Sequence, residues 1–150
     1  MFSGRFEHAI DDKGRVSIPA RFREVLERNN HERLFITNWY GAEGEPCLEL
    51  YPPNLWQELL DKAANQPRFS ANMQTFEVFF IGGAHEVPVD RQGRILIPSL
   101  LREFAGLYRD VLFSAVRDHF QLWDKARLEK VLKTSQERIR DPQFFEKLNF

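Results

Sequence analysis

Two short stretches of the chain carry the side chains best suited to binding an anionic partner. Residues 10–23 read IDDKGRVSIPARFR, and residues 89–102 read VDRQGRILIPSLLR. In each stretch an aspartate precedes an arginine by four positions, and a glycine lies directly before that arginine. A guanidinium group can bind phosphate oxygens or the edge of a guanine through two parallel hydrogen bonds, so these residues are candidate nucleic-acid contacts.

A constant offset relates the two stretches, which indicates an internal duplication. Residues of the same type stand 79 positions apart at five places: Asp11 and Asp90, Gly14 and Gly93, Arg15 and Arg94, Pro19 and Pro98, and Arg23 and Arg102. Further along the chain the offset is 72, as between Leu50 and Leu122. The sequence thus predicts a tandem repeat with a deletion in one loop of the second half.

Arg15 and Arg94 admit two interpretations from the sequence. Each could pair with the aspartate four residues before it, Asp11 or Asp90, in a surface ion pair of small energetic value. Alternatively, the aspartate holds the guanidinium outward for a phosphate or a guanine edge, a contact that discriminates between bases by about 1–3 kcal/mol. The two interpretations are compatible, because an arginine already held by an aspartate loses less side-chain freedom on binding.

Other cations near the motifs are candidates for supporting roles. Lys13, Arg91 and Arg5 are candidate phosphate contacts, with a solvated surface charge as the alternative for each. Arg23 and Arg102 occupy equivalent positions at the starts of predicted helices. They are expected either to stabilise the junction between the halves or to contact DNA, with the structural role slightly favoured.

The composition is that of an ordinary globular protein. The chain has 150 residues, 43% of them hydrophobic, 14 Phe and a net charge of −1, so any cationic surface must be concentrated on one face. The single cysteine, Cys47, excludes an internal disulfide and suits a reducing compartment. No apolar run approaches the roughly 18 residues that span a bilayer, and no signal-peptide pattern opens the chain. We therefore expect a cytoplasmic protein without a membrane partner.

The remaining reactive side chains form no catalytic or metal-binding pattern. The four histidines, His8, His31, His85 and His119, lack the spacing of metal ligands. Cys47 lies in an apolar stretch without an accompanying histidine motif, which favours a core position over a nucleophile. We predict no catalytic residues, no metal and no cofactor, and thus a protein that is not an enzyme.

Short strands and helices are predicted to position the motifs. Alternating apolar residues predict strands at 5–10, 15–18, 34–37, 47–51, 85–89, 94–97, 111–116 and 120–123. The first two strands are expected to form a hairpin whose turn contains Gly14, and Gly93 has the same place in the second half. Both glycines are expected to have a conformational role, because glycine tolerates the positive φ that other residues resist. Pro19 and Pro98 stand where a helix begins.

The segment between the two motifs is predicted to be largely helical. Asn54 is the predicted N-cap of its first helix. Apolar spacing over 68–81 favours a second, amphipathic helix, with a strand over 78–81 as the alternative. Its apolar side chains, together with Phe144 and Phe145, are expected in the core or at a subunit interface. Gly82-Gly83 is the predicted boundary between the halves.

The duplicated motif resembles that of a known family. The pattern D-x-K-G-R-(V/I)-x-I-P-x-x-x-R, present twice in a chain of this length, is similar to the MraZ family of AbrB/SpoVT-type swapped-hairpin proteins. Asp11–Arg15 and Asp90–Arg94 carry the resemblance, together with their continuations to Arg23 and Arg102. The second motif departs from the first in having Arg91-Gln92 in place of Asp12-Lys13.

The resemblance covers essentially the whole chain. We divide it into a first SpoVT-AbrB-like repeat at 5–52, a helical linker at 53–81, a second repeat at 82–124 and a C-terminal helical tail at 125–150. Each half has too few strands to close its own sheet, so the halves are expected to interleave about a pseudo-two-fold axis. The implied fold is α+β, with two pseudo-symmetric swapped-hairpin (AbrB-like) β-barrel halves in tandem and peripheral helices.

The resemblance also implies a function. The protein would be a sequence-specific transcriptional regulator of the bacterial division and cell-wall gene cluster. It would act as a ring-like homo-oligomer on double-stranded DNA at repeated promoter sites, and it would be associated with the nucleoid in the cytoplasm. The alternative is an oligomeric interaction scaffold whose basic loops bind an acidic protein partner.

Overall fold

The computed structural model describes residues 1–149 and confirms the α+β class. Its strands are β1 (Arg5–Ala9), β2 (Arg15–Ser17), β3 (Arg33–Tyr40), β4 (Pro46–Tyr51), β5 (His85–Pro88), β6 (Arg94–Leu96), β7 (Asp110–Val116) and β8 (His119–Asp124). Its helices are α1 (Ala20–Arg28), α2 (Pro53–Ala64), α3 (Ala71–Phe76), a π-helical turn (Glu77–Ile81), α4 (Ser99–Ala105), α5 (Lys125–Ile139) and α6 (Phe144–Lys147). Phe150, the last residue of the predicted C-terminal tail, lies outside the described residues.

The two halves of the chain share their sheets. Within residues 1–149, six antiparallel strands form one sheet in the order β1-β7-β8-β4-β3-β5, and β2 pairs with β6 in a separate ribbon. Exchanging every strand for its equivalent in the other half reproduces the same order, which defines a pseudo-two-fold axis. The axis passes between Glu49 and Gln121 in the sheet and between Val16 and Ile95 in the ribbon.

The prediction that the first two strands pair with each other in a hairpin is wrong. β1 pairs with β7 and β2 with β6, so both strands find their partners in the second half. The turn between them still closes, because the backbone N–H of Asp11 donates to the carbonyl of Arg15 at 2.9 Å. An alternating pattern indicates which face of a strand is buried but not which strand lies beside it.

Two predictions about the central helices also need correction. α2 begins at Pro53, with Pro52 in the N-cap position, so Asn54 lies inside the first turn and is not the N-cap. Proline has the fixed φ that suits a helix start, and the Pro-Pro pair begins the helix earlier than the asparagine. The strand alternative for 78–81 is wrong, because a π-helical turn keeps Phe76 and Phe80 stacked at 4.8 Å.

The repeat differs in length at two places rather than one. Leu34 pairs with Val87, and Val111 pairs with His8. Since His8 and Val87 are 79 apart, Leu34 and Val111 are equivalent although they are 77 apart. The offset therefore falls from 79 to 77 before β3 and to 72 only after it. The first of these differences lies in the helix, which has 9 residues in α1 and 7 in α4.

The main core lies between the six-stranded sheet, the β2–β6 ribbon and helices α1 and α4. Phe22 of α1 is 1% exposed and packs against aromatic rings from both halves. Its ring centroid lies 4.7 Å from that of Phe120 and 5.3 Å from those of Phe2 and Phe6. Because the two halves contribute to the same packing, neither builds this core alone.

Helices cover the other face of the sheet in two separate clusters. α5 packs over Cys47 and Trp123, while α2 and the π-helical turn pack over Tyr51. Cys47 is buried, as predicted, and burial raises the pKa of its thiol to about 12, which makes it a poor nucleophile. Phe80 is buried, whereas Phe69 is 86% exposed and is not part of the core. Across residues 1–149, none of the helices is both long and apolar enough to cross a membrane.

Candidate nucleic-acid interface

Asp11 closes the first loop, residues 11–15, by accepting several hydrogen bonds. Its Oδ1 accepts from the backbone N–H groups of Lys13 at 2.9 Å and Arg15 at 2.8 Å, and its Oδ2 accepts from Nε of Arg15 at 3.0 Å. Its carbonyl accepts from the N–H of Gly14 at 3.0 Å. The backbone hydrogen bond from Arg15, followed by that residue's side chain, lowers the pKa of Asp11 below its ordinary value. The carboxylate is therefore ionised at neutral pH and stays paired with the arginine.

The second loop, residues 90–94, repeats this geometry. Oδ1 of Asp90 accepts from the backbone N–H groups of Gln92 at 2.8 Å and Arg94 at 2.9 Å. Its Oδ2 accepts from Nε of Arg94 at 3.1 Å, and its carbonyl accepts from Gly93 at 3.0 Å. Both ion pairs predicted from the four-residue spacing are thus present, in one and the same arrangement.

The ion pairs leave part of each guanidinium available. Arg15 and Arg94 are held through Nε, and within residues 1–149 neither uses its terminal nitrogens in a hydrogen bond. Their side chains are 38% and 33% exposed. A guanidinium fixed at Nε still presents two terminal nitrogens, which suits the paired acceptors of a phosphate or a guanine.

The β2–β6 ribbon places the two arginines on one of its faces. Arg15 lies opposite Leu96, and Ser17 lies opposite Arg94. Opposed residues, and residues two apart on a strand, share one face of a strand pair, so both arginines lie on the face away from the buried Val16. They are diagonal neighbours, whose Cα atoms lie about 7–8 Å apart in such a pair. The two arginines therefore lie on one face of the ribbon and are related by the pseudo-two-fold axis.

The other predicted cations are distributed unevenly around this site. Lys13 and Arg91 are exposed, one on each loop, and neither forms an ion pair with another residue of the described chain. Arg5 is exposed at the far end of β1. The first loop follows the other end of β1, about 20 Å away at about 3.4 Å per residue, so Arg5 does not lie beside that loop.

Glycine is required at positions 14 and 93 by the backbone conformation and by the close approach of an arginine side chain. Their φ angles are +89° and +76°, in the region that favours glycine. A Cβ atom on Gly14 would lie 2.7 Å from Nε of Arg102, and one on Gly93 would collide with Cδ of Arg23. The sequence predicted the conformational role of these glycines, but the arginines that cover them belong to the opposite half and gave no local signal.

Replacing Gly14 by alanine is expected to destabilise the protein more than the same change at Gly44. Both have a positive φ, +89° and +80°, which costs an alanine about 1–2 kcal/mol. A Cβ on Gly44 meets no atom within 4 Å, so Gly44→Ala is the matched control for backbone strain alone. The contact with Arg102 adds about 1–3 kcal/mol at Gly14. Urea denaturation of both variants measures the difference in unfolding free energy. Equal losses would show that the Arg102 side chain moves aside at little cost.

A buried polar cluster lies where the axis crosses the six-stranded sheet, and sequence reasoning missed it. Oε2 of Glu49 contacts Nε2 of His119 at 2.8 Å and accepts from the Gln121 amide at 3.1 Å, and Oε1 accepts from the Tyr51 hydroxyl at 3.1 Å. Burial lowers the pKa of His119, but the hydrogen bonds and charges of Glu49 and Asp118 raise it by more. The net effect is a pKa above the ordinary value of histidine. A glutamate in an otherwise apolar strand was the available signal.

The described side chains do not meet the requirements of a metal centre. Within residues 1–149, His, Cys, Asp and Glu side chains do not come together in a group of three or more that could hold an ion. The two loops, with the same ion pair in each half, are the candidate site.

The fold and the loops define a class of protein: a duplicated α+β chain that presents two aspartate-held arginines on its pseudo-two-fold axis. A family model described as "MraZ protein, putative antitoxin-like" matches residues 1–79 and again 80–145. The chain belongs to the MraZ family.

Curated relatives match over most of their length. The chain is 39% identical to the transcriptional regulator MraZ of Roseiflexus sp. (strain RS-1) over 132 residues, which are 88% of this chain and 87% of the relative. It is 42% identical to that of Acetivibrio thermocellus over 129 residues, 86% and 85% of the two chains. It is 39% identical to that of Moorella thermoacetica over 138 residues, 92% and 91%. These relatives carry the name of a regulator and not of an enzyme.

Proposed function

We propose that this chain is a sequence-specific DNA-binding transcriptional regulator that uses the two loops at its pseudo-two-fold axis. The names of its relatives support the regulatory role. The observation that carries DNA binding is the pair of guanidiniums, each fixed at Nε by an aspartate, with terminal nitrogens that form no hydrogen bond to residues 1–149. Fixing the side chain before binding lowers the entropic cost of a base or phosphate contact.

The charge distribution supports the same assignment. The whole chain has a net charge of −1, so binding must rest on a local concentration of cations. Arg15 and Arg94 would read base edges or phosphates at the axis, with Lys13 and Arg91 on phosphates at either side. Arg5, about 20 Å along β1, would contact DNA only if the duplex extends to that end of the sheet.

The finer features of the proposal concern architecture and assembly. We propose that the two halves exchange strands and so form a swapped-hairpin fold of AbrB-like barrel halves. The chain would be divided into two repeats at 5–52 and 82–124, a helical linker at 53–81 and a C-terminal tail at 125–150. The chain would assemble into a ring-like homo-oligomer on repeated promoter sites of the division and cell-wall gene cluster. It would work in the cytoplasm, associated with the nucleoid. Several weak contacts with repeated sites would combine into strong binding.

DNA binding by the wild type and by Arg15→Ala/Arg94→Ala tests the proposal. The probe is a duplex from the promoter of the division and cell-wall cluster, with a scrambled duplex for comparison, at several salt concentrations. Loss of two arginine contacts is expected to weaken specific binding by about 2–6 kcal/mol. The slope of log affinity against log salt concentration is expected to become shallower by about two. Circular dichroism would verify that the variant is folded.

The matched control is Arg28→Ala/Arg68→Ala, which removes the same charge from exposed positions outside the loops. It is expected to leave specific binding almost unchanged. If the loop variant and the control lose the same affinity, the loops do not form the site. Wild-type binding that is confined to low salt and insensitive to sequence would instead support the scaffold with an acidic protein partner.

A further inference from the structure

Arg23 and Arg102 each lie against the loop of the opposite half. Arg23, on α1 of the first half, donates a hydrogen bond from Nη1 to the carbonyl of Gln92 at 3.4 Å. Its side chain covers Gly93 so closely that a Cβ atom there would collide with it. Arg23 also lines one small cavity together with Asp90 and Arg91 of the second loop.

Arg102, on α4 of the second half, has the equivalent place at the first loop. Its Nε and Cζ would lie 2.7 and 2.8 Å from a Cβ atom on Gly14. Its Nε donates to the carbonyl of Ile97 at 3.1 Å, and the N–H of Ile97 in turn donates to the carbonyl of Gly14 at 2.8 Å. The first loop is therefore bordered by a side chain and a backbone group of the second half.

We propose that Arg23 and Arg102 are positioning residues that act across the pseudo-two-fold axis. Arg23 sets the second loop and with it Arg94, whereas Arg102 sets the first loop and with it Arg15. For its consequence at DNA, this inference rests on the proposed function. The two contact arginines are then not independent, because each depends on a helix of the other half.

The environment of Arg23 favours this role over direct contact with DNA. Its Nε is buried and has no hydrogen-bond partner among residues 1–149, so this part of the guanidinium faces protein. A buried N–H without an acceptor is unfavourable, so the packing against Gly93 and the bond to Gln92 have to offset its cost. Arg102 differs, because its Nε is satisfied by Ile97 and its effect on Gly14 comes from packing.

Hydrogen exchange of the full chain tests the inference without DNA. In Arg102→Met, amides of the peptide 11–17 are expected to exchange about tenfold faster, with little change in 90–96. In Arg23→Met the pattern is expected to be reversed. Arg28→Met, which removes the same charge near the other end of α1, should change neither peptide. If each variant loosens the loop of its own half, or both loops equally, the inference is wrong.

DNA affinity gives a second readout through double-variant cycles. Arg23→Met is expected to weaken binding about tenfold in the wild type and in Arg15→Ala, but hardly at all in Arg94→Ala. Arg102→Met should show the converse. Arg23→Lys can still donate to the Gln92 carbonyl and is expected to retain most of the affinity, a rescue that loss of packing alone would not predict. Additive effects of Arg23→Met and Arg94→Ala would overturn the inference.

The two failures can be told apart. If Arg15→Ala and Arg94→Ala leave DNA affinity unchanged, the proposed function fails, and the hydrogen-exchange pattern alone decides the positioning role. If both weaken binding but the cycles show no crossed coupling, the function stands and the positioning role fails.

Discussion

Phe22→Ala is expected to lower the free energy of unfolding by about 3–5 kcal/mol, because it removes a fully buried ring and leaves a cavity. Phe22 is 1% exposed and lies within 4.7 to 5.3 Å of the rings of Phe120, Phe2 and Phe6, centroid to centroid. Since these rings come from both halves, the loss should appear in one cooperative transition. Urea denaturation followed by tryptophan fluorescence measures both the size and the cooperativity of the change.

The matched control is Phe69→Ala, the same chemical change at a side chain that is 86% exposed. It is expected to alter stability by less than about 0.5 kcal/mol. A small loss in Phe22→Ala would show that the core can collapse around the missing ring. Two separate transitions in the wild type would contradict a core built jointly by the two halves, since each half would then unfold by itself.

His119→Ala is expected to cost about 3 kcal/mol, because it removes the ionic partner of a buried carboxylate. Glu49 is 6% exposed and would keep the hydrogen bonds from Tyr51 and Gln121, which places the cost at the lower end for such pairs. His85→Ala, at an exposed histidine of β5, is the matched control and should be nearly neutral. A neutral result for His119→Ala would mean that water or a rearranged Tyr51 replaces the imidazole.

The contribution of His119 should also depend on pH. Desolvation lowers the pKa of His119, but its bonds with Glu49 and Asp118 raise it above its ordinary value of 6.5 overall. A group whose pKa is higher in the folded state stabilises most fully below its unfolded pKa and loses that contribution as the pH rises through the folded pKa. The stability difference between the wild type and His119→Ala is therefore expected to be largest below about pH 6.5 and to shrink above it. A difference that grows with pH would show that the imidazole is bound neutral.

The shared core and the loop pair have a common consequence for binding. The arginines of the two loops lie on one ribbon, and the helices behind that ribbon pack into the core around Phe22. A variant that disturbs the core is therefore expected to move both proposed contacts together. Stability and DNA affinity should be measured on the same variants, so that a lost contact can be separated from a lost fold.

Local features of the site were predictable from the sequence, because the interacting groups lie within a few residues of each other. The pairing of Asp11 with Arg15 spans four positions and needs only the tight turn that Gly14 permits. The duplication was predictable for a similar reason, since an offset between like residues needs no knowledge of contacts. Burial of Val16 and Phe22 followed from the alternating and helical spacing of apolar residues.

Contacts between distant residues were decided only by the tertiary structure. The alternating pattern of β1 and β2 is equally compatible with a local hairpin and with partners in the other half, and the structure selects the latter. The hydrogen bonds of Arg23 with Gln92 and of His119 with Glu49 join residues 69 and 70 positions apart. Such contacts depend on how the two halves pack as whole bodies, and hydrophobic periodicity carries no information about that choice. By itself, the sequence determined two equivalent arginine loops, and the packing of the halves made them neighbours on one axis.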